Sequence, residues 1–100
     1  MLIKAKKKDA TAEIWLSGEL DHHSAAAVKR RLDDIISSGA TKLILDLSGL
    51  KFMDSSGIGV LLGRYQRVKA AGGSISVKNA SKQVDKVFRI AGLYKVIEKK

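Results

Sequence analysis

Cysteine is absent from this 100-residue chain, which excludes disulfides and thiolate metal sites. Proline is absent too, so glycine and capping side chains must supply the turns and helix stops. Aromatic residues are scarce, with one Trp, two Tyr and two Phe. They are not interleaved with the basic residues, so a row of base-stacking platforms is not expected. No apolar run nears the ~18 residues of a membrane span. Met1-Leu2-Ile3 runs straight into Lys4, Lys6, Lys7 and Lys8, so neither a secretory signal nor a membrane partner is expected, and the chain reads as cytoplasmic. Acidic residues are few as well: ten Asp and Glu stand against nineteen Lys and Arg, a formal net charge of +9. The cations are spread along the chain and read as a solvated surface; direct nucleic-acid binding is not expected.

What is present is the pattern of one α/β domain over residues 1–100. Leu2 to Lys8 reads as an edge strand guarded by lysines, and Asp9-Ala10 as a turn. Ala12, Ile14 and Leu16 alternate with polar neighbours, the period of a strand with one buried face; the short connection makes the pair an antiparallel hairpin. Asp21 is placed to cap a helix with Val28, Leu32, Ile35 and Ile36 inward, stopped at Gly39. Leu43-Ile44-Leu45 reads as a central strand covered on both faces, followed by a loop through Ser48-Gly49. A second helix is expected from about Ser56 to Ala71, with Ile58, Leu61, Leu62, Tyr65 and Val68 inward. Ile75 and Val77 mark a fourth strand. Ser81 begins a third helix with Val84, Val87, Phe88 and Ala91 inward, stopped by Gly92; Leu93 to Ile97 is too short to assign. The expectation is a mixed four-stranded sheet, mostly parallel with one antiparallel edge strand, and packed helices. Trp15, opposite in sense to Ile14, is either covered by a helix, the favoured reading in a sheet covered on both faces, or exposed as an interaction residue.

In such sheets functional groups gather beyond the carboxyl ends of the strands. Two loops leave that edge, Gly18 to His23 and Ser48 to Gly57, so Asp21 and Asp54-Ser55-Ser56 should lie close together. Asp54-Ser55-Ser56-Gly57 has two compatible readings. It is a helix cap, with Ser56 as a capping candidate, or it is a phosphorylation site in which helix N–H groups hold the phosphate. Catalytic readings are weaker. The nucleophile-elbow pattern is missing around Ser55, although His22 and His23 could approach it. Gly57-Ile58-Gly59 matches no dinucleotide fingerprint, and no phosphate-loop motif exists. Asp21-His22-His23 are adjacent residues that diverge by about 100° on a helix, a poor arrangement for one metal ion. No catalytic residue, metal or cofactor is assigned.

Two stretches carry a resemblance. Leu45-Asp46-Leu47-Ser48-Gly49-Leu50-Lys51-Phe52-Met53-Asp54-Ser55-Ser56-Gly57-Ile58-Gly59-Val60-Leu61 closely resembles the signature of STAS domains of the anti-sigma factor antagonist family, as does Leu16-Ser17-Gly18-Glu19-Leu20-Asp21-His22-His23. The histidine pair points toward the sporulation type. Gly63-Arg64-Tyr65 and Phe88-Arg89-Ile90-Ala91-Gly92-Leu93 continue the match along the chain. The resemblance implies a STAS fold and a non-enzymatic switch. Unphosphorylated antagonists bind an anti-sigma factor that is also a serine kinase, and so free its sigma factor. The kinase, which carries the ATP and Mg, phosphorylates the first serine after the aspartate, here Ser55, with Ser56 as the alternative candidate, and a serine phosphatase reverses the step. Asp21, His22, His23, Asp54, Ser56 and Gly57 would form the surroundings of that site and the partner surface.

Two features depart from the family pattern: the short segment after Gly92-Leu93 and the basic balance. The open alternatives are a STAS interaction module of another signalling or transport system, an engineered or consensus-like STAS sequence, a small serine hydrolase, and a nucleic-acid binder.

Overall fold

The computed structural model describes residues 1–100, and its sheet begins with its one antiparallel pair. Strands β1 (Leu2–Lys8) and β2 (Thr11–Leu20) form an antiparallel hairpin. They turn on Asp9, whose φ of +57° is a left-handed conformation that Asp tolerates. Helix α1 (Ala25–Ser37) then carries the chain to β3 (Lys42–Met53), which lies parallel to β2. Helix α2 (Ser55–Ala70) leads to β4 (Ser74–Lys78), parallel to β3. Helix α3 (Lys82–Ile90), a 3₁₀ turn (Leu93–Lys95) and a two-residue β5 (Glu98–Lys99) complete a sheet of order β1-β2-β3-β4-β5. The mixed sheet with a single antiparallel pair is as expected, with a fifth strand too short for any periodicity to mark.

Ala12, Ile14 and Leu16 of β2, Leu43, Leu45 and Leu47 of β3, and Ile75 and Val77 of β4 are buried in one hydrophobic cluster. Helix α1 contributes Val28, Leu32 and Ile35; α2 contributes Val60, Leu61 and Val68; α3 contributes Val84 and Phe88. Helices α1 and α2 lie side by side, α1 on β2 and α2 on β3 and β4, while α3 packs against β3. Asp33 of α1 joins the first two, its Oδ1 lying 3.0 Å from Arg64 Nε and 2.9 Å from Arg67 Nη1.

Four local expectations are corrected. The segment Ser48-Gly49 is not a loop: β3 runs on to Met53, and register shifts in the β2–β3 ladder after Trp15 and Gly18 absorb its extra residues. The central strand is not equally covered on its two faces, because Ile44 is only half-buried while Leu43 and Leu45 are buried. Trp15 shares a rung with Lys4 and Asp46 and is half-buried at a surface groove rather than enclosed. Ala91 lies just past the end of α3 and is exposed; the inward stripe ends at Phe88, inside the helix, because Ala91 is already its C-cap.

Candidate functional site

The site is built by the parallel pairing of β2 and β3. Leu20 and Met53 are partners in the ladder, and the Asp54 N–H donates to the Leu20 carbonyl at 3.2 Å. Asp21 and Asp54 are therefore the next residues beyond one shared rung, the proximity expected from topology. Both aspartates turn their carboxylates onto backbone N–H groups, but in different ways.

Asp54 is the N-cap of α2. Its backbone is extended (φ −112°, ψ −169°) and its Oδ1 accepts from Ser56 N–H at 2.9 Å and Gly57 N–H at 3.4 Å. Those are two of the first-turn donors that a helix start leaves without partners. Ser55 is the first helical residue and is exposed; Ser56 is half-buried behind it. Capping thus falls to Asp54 and not to Ser56. It also follows that the Ser56 and Gly57 N–H groups already have a carboxylate and are not free to hold a phosphate. Removing the cap should cost about 1 kcal/mol: Asp54→Ala is expected to lower the urea-unfolding free energy by that amount and Asp54→Asn by much less. Equal losses from the two would show that the cap bond is not what matters.

Asp21 caps a turn ahead of α1 rather than the helix itself, correcting the sequence reading. Its Oδ1 accepts from His23 N–H at 2.9 Å and Ser24 N–H at 3.0 Å, an Asx-type turn. Ser24, which the sequence reading passed over, occupies the N-cap position of α1. Its hydroxyl donates to the Glu19 carbonyl at 2.7 Å and its Oγ accepts from Asp21 N–H at 3.0 Å. A serine three residues after an aspartate is a capping signal in its own right, and either residue fits the helical period. His22 and His23 are exposed on this turn, with their rings 5.9 Å apart edge to face. No three His, Cys, Asp or Glu side chains converge.

Gly57 is held by close packing. A Cβ there would stand 2.6 Å from Met53 Cγ and 2.8 Å from Leu20 Cγ, so the missing side chain lets the first turn of α2 settle on the ends of β2 and β3. Beside the site lies an open groove of about 820 Å³, bordered by Glu19, Asp21, His23, Lys51, Phe52 and Gln83. Ser55 is not on its lining. Phe52 is 36% exposed, an apolar side chain the prolongation of β3 carries to the surface; cutting the strand at Leu45 hid it.

Three aspartates are held below the usual carboxylate range. For Asp21 the Ser24 N–H is the chief cause. Burial pushes Asp46 up, but hydrogen bonds from Ser48 and Asn79 and the charge of Lys78 outweigh it. Asp85 is lowered first by the Tyr94 hydroxyl at 2.6 Å, then by Lys99 and Arg89. A carboxyl more acidic in the folded than the unfolded chain adds stability above the unfolded value of about 3.9, and that stability is lost as pH falls further. The urea midpoint should hold between pH 7 and 5 and drop below pH 4; a midpoint unchanged down to pH 3 would contradict these assignments.

A parallel β-α-β-α-β core with an antiparallel edge strand, and an aspartate-capped helix leaving its carboxyl edge, is the layout of a STAS domain. A family model described as STAS domain matches residues 3–100, and the chain belongs to that family, within its anti-sigma factor antagonists. It is 40% identical over 85 residues to the anti-sigma F factor antagonist of Paenibacillus polymyxa, covering 84% of this chain and 73% of that protein. It is 31% identical over 96 residues to the anti-sigma-B factor antagonist of Bacillus subtilis, covering 96% and 87%. Among solved structures it is similar to the anti-sigma factor antagonist SpoIIAA in its unphosphorylated form, with a TM-score of 0.86 and 33% identity over 99% of this chain and 88% of that one. The Bacillus cell fate determinant SpoIIAA in the phosphorylated form gives a TM-score of 0.77 and 32% identity over 99% and 91%. No helix is long and apolar enough to cross a membrane.

Proposed function

We propose that the unphosphorylated chain binds an anti-sigma factor serine kinase and so releases a sigma factor, and that phosphorylation of Ser55 switches this binding off. The observation that carries the proposal is the exposed Ser55 at the first position of α2, directly after the capping Asp54. It is supported by similarity to antagonists of which one, SpoIIAA, is solved in both phosphorylated and unphosphorylated forms.

The hydroxyl stands at the positive end of a helix of 16 residues, where a kinase can reach it. Asp54 already holds the Ser56 and Gly57 N–H groups. A phosphate with about two negative charges is therefore added to a surface that carries Asp54 and Asp21, rather than being neutralised within the helix start. Repulsion and bulk spoil a close-packed contact without refolding. Asp21, His22, His23, Ser56 and Gly57 shape the surface around Ser55. ATP and Mg belong to the kinase, a serine phosphatase resets the switch, and the exchange takes place in the cytoplasm, where sigma factors act. The chain itself has no catalytic role in this cycle.

The test is incubation with an anti-sigma kinase and ATP, read by intact mass and peptide mapping. One phosphate should be added, lost in Ser55→Ala and kept in Ser56→Ala. An unmodified mass, or a phosphate that survives Ser55→Ala, would overturn the assignment.

A further inference from the structure

The outer edge of β1 is a second, chemically distinct surface. β1 ends the sheet, and its seven residues pair with β2 without a register shift from Leu2↔Ser17 to Lys8↔Thr11. One side of a regular strand therefore offers its backbone donors and acceptors to solvent, the arrangement to which another strand can add. Four of its residues are lysines, Lys4, Lys6, Lys7 and Lys8. None of them is among the ion pairs of the protein; Lys7 donates to the Ser38 carbonyl at 2.8 Å. Lys4, Lys6 and Lys8 alternate along the strand and so share one face, where their cross-strand partners are Trp15, Glu13 and Thr11. Glu13, the only acid of those three, is engaged by Lys78 at 2.7 Å. A groove of about 520 Å³ lies at this edge, lined by Leu2, Lys4, Lys6, half-buried Trp15 and Ser17.

We infer that β1 is a docking edge for an acidic extended segment of a partner protein, which adds to the sheet as a strand and sets alternate carboxylates against Lys4, Lys6 and Lys8. Charge selects the occupant. A second copy of this chain brings another +9 and the same lysine edge, so self-pairing is repelled while an acidic strand is attracted. A nucleic-acid strand fits less well: its backbone offers phosphate acceptors but no regular donors for the exposed carbonyls, and Trp15 is the one aromatic on this edge, where a stacking surface needs a series. An anionic bilayer would have only Met1 and Leu2 as large exposed apolar anchors here. Ser55 is neither on β1 nor in the lining of this groove, so binding at β1 is expected not to depend on its phosphorylation.

The probe is a fluorescein-labelled seven-residue peptide with glutamate at alternate positions and valine between, titrated by polarisation at low and physiological salt. Binding should be saturable and should weaken at least tenfold in the triple variant Lys4→Gln, Lys6→Gln, Lys8→Gln, with an unchanged melting curve showing that the fold is kept. A peptide of the same sequence with alternate backbone nitrogens methylated on its pairing edge should also lose at least tenfold, because it keeps the charges but cannot join the ladder. Ser55→Asp should bind the probe as the parent does. Equal affinity for the methylated peptide, or tighter binding of an oligothymidylate or of anionic vesicles at the same salt, would overturn the inference.

Discussion

Ser55→Asp should weaken binding of an anti-sigma factor kinase about tenfold or more, and stoichiometric phosphorylation of Ser55 about a hundredfold, equivalent to roughly 2.7 kcal/mol. The ordering follows from charge, since aspartate adds one negative charge at this position and phosphate about two. Ser55→Ala and Ser55→Asn should stay within a few-fold of the parent; the asparagine has the size of aspartate without its charge. Fold and binding separate cleanly in this series. A carboxylate in the first turn of a helix is favoured by about 0.3–1 kcal/mol, so Ser55→Asp should melt no lower than the parent while binding worse. A drop in melting temperature alongside the lost affinity would mean that structure and not repulsion is responsible. Part of the loss should be recovered at high salt, as screening shortens the reach of the added charge.

Two glycines of α2 should respond to alanine with opposite signs. A Cβ on Gly57 would meet Met53 Cγ at 2.6 Å and Leu20 Cγ at 2.8 Å, and both residues are buried with little room to retreat. Overpacking of this kind costs about 1–3 kcal/mol, which outweighs the ~1 kcal/mol that alanine gains over glycine within a helix. A Cβ on Gly59 meets nothing within 4 Å, so Gly59→Ala should gain most of that ~1 kcal/mol and raise the melting temperature by about 4–8 °C. Gly57→Val, with a branched side chain against the same two residues, should be the most damaging of the three. Equal shifts at 57 and 59, read by thermal melting, would show that the helix start is not seated on β2 and β3 as described.

Most of this architecture is legible in the chain because local chemistry and tertiary packing agree. Ala12, Ile14 and Leu16 announce β2 through their alternation, and all three are buried in it, with Leu20 at its end. Ser81 announces α3, and its Oγ accepts from Val84 N–H at 3.2 Å. The proximity of Asp21 to Asp54 follows from the parallel pairing of two neighbouring strands, which needs no side-chain detail. The misreadings lie where two principles compete. Ser48-Gly49 has turn composition, but the ladder with β2 continues by shifting register, and a bulge leaves no composition of its own. Asp21 and Ser24 both have capping composition three apart, and only the backbone reveals that Asp21 caps a turn while Ser24 stands at the N-cap position of α1 with its hydroxyl turned back onto Glu19 and Asp21. Ser56 has the composition of a capping residue, but the Asp54 carboxylate takes both the Ser56 and Gly57 N–H groups. Residues 98 and 99 pair because Ser76 and Val77 are beside them, a reason that lies wholly outside their own sequence.

The resemblance carried by the Asp54-Ser55-Ser56-Gly57 stretch and by Asp21-His22-His23 agrees with the family found over residues 3–100. What the geometry adds is the role of Asp54. By occupying the first-turn donors itself, it leaves Ser55 exposed and gives any phosphate placed there no helix N–H cradle at residues 56 and 57.

The most direct measurement is sigma-factor release. A preformed complex of an anti-sigma kinase with its sigma factor is titrated with this protein, once unmodified and once fully phosphorylated at Ser55, and free sigma factor is followed by native mass or by transcription from a dependent promoter. The expected result is release by the unmodified protein and, at the same concentrations, about a hundredfold less by the phosphorylated one. Equal release by both forms would contradict a switch at Ser55.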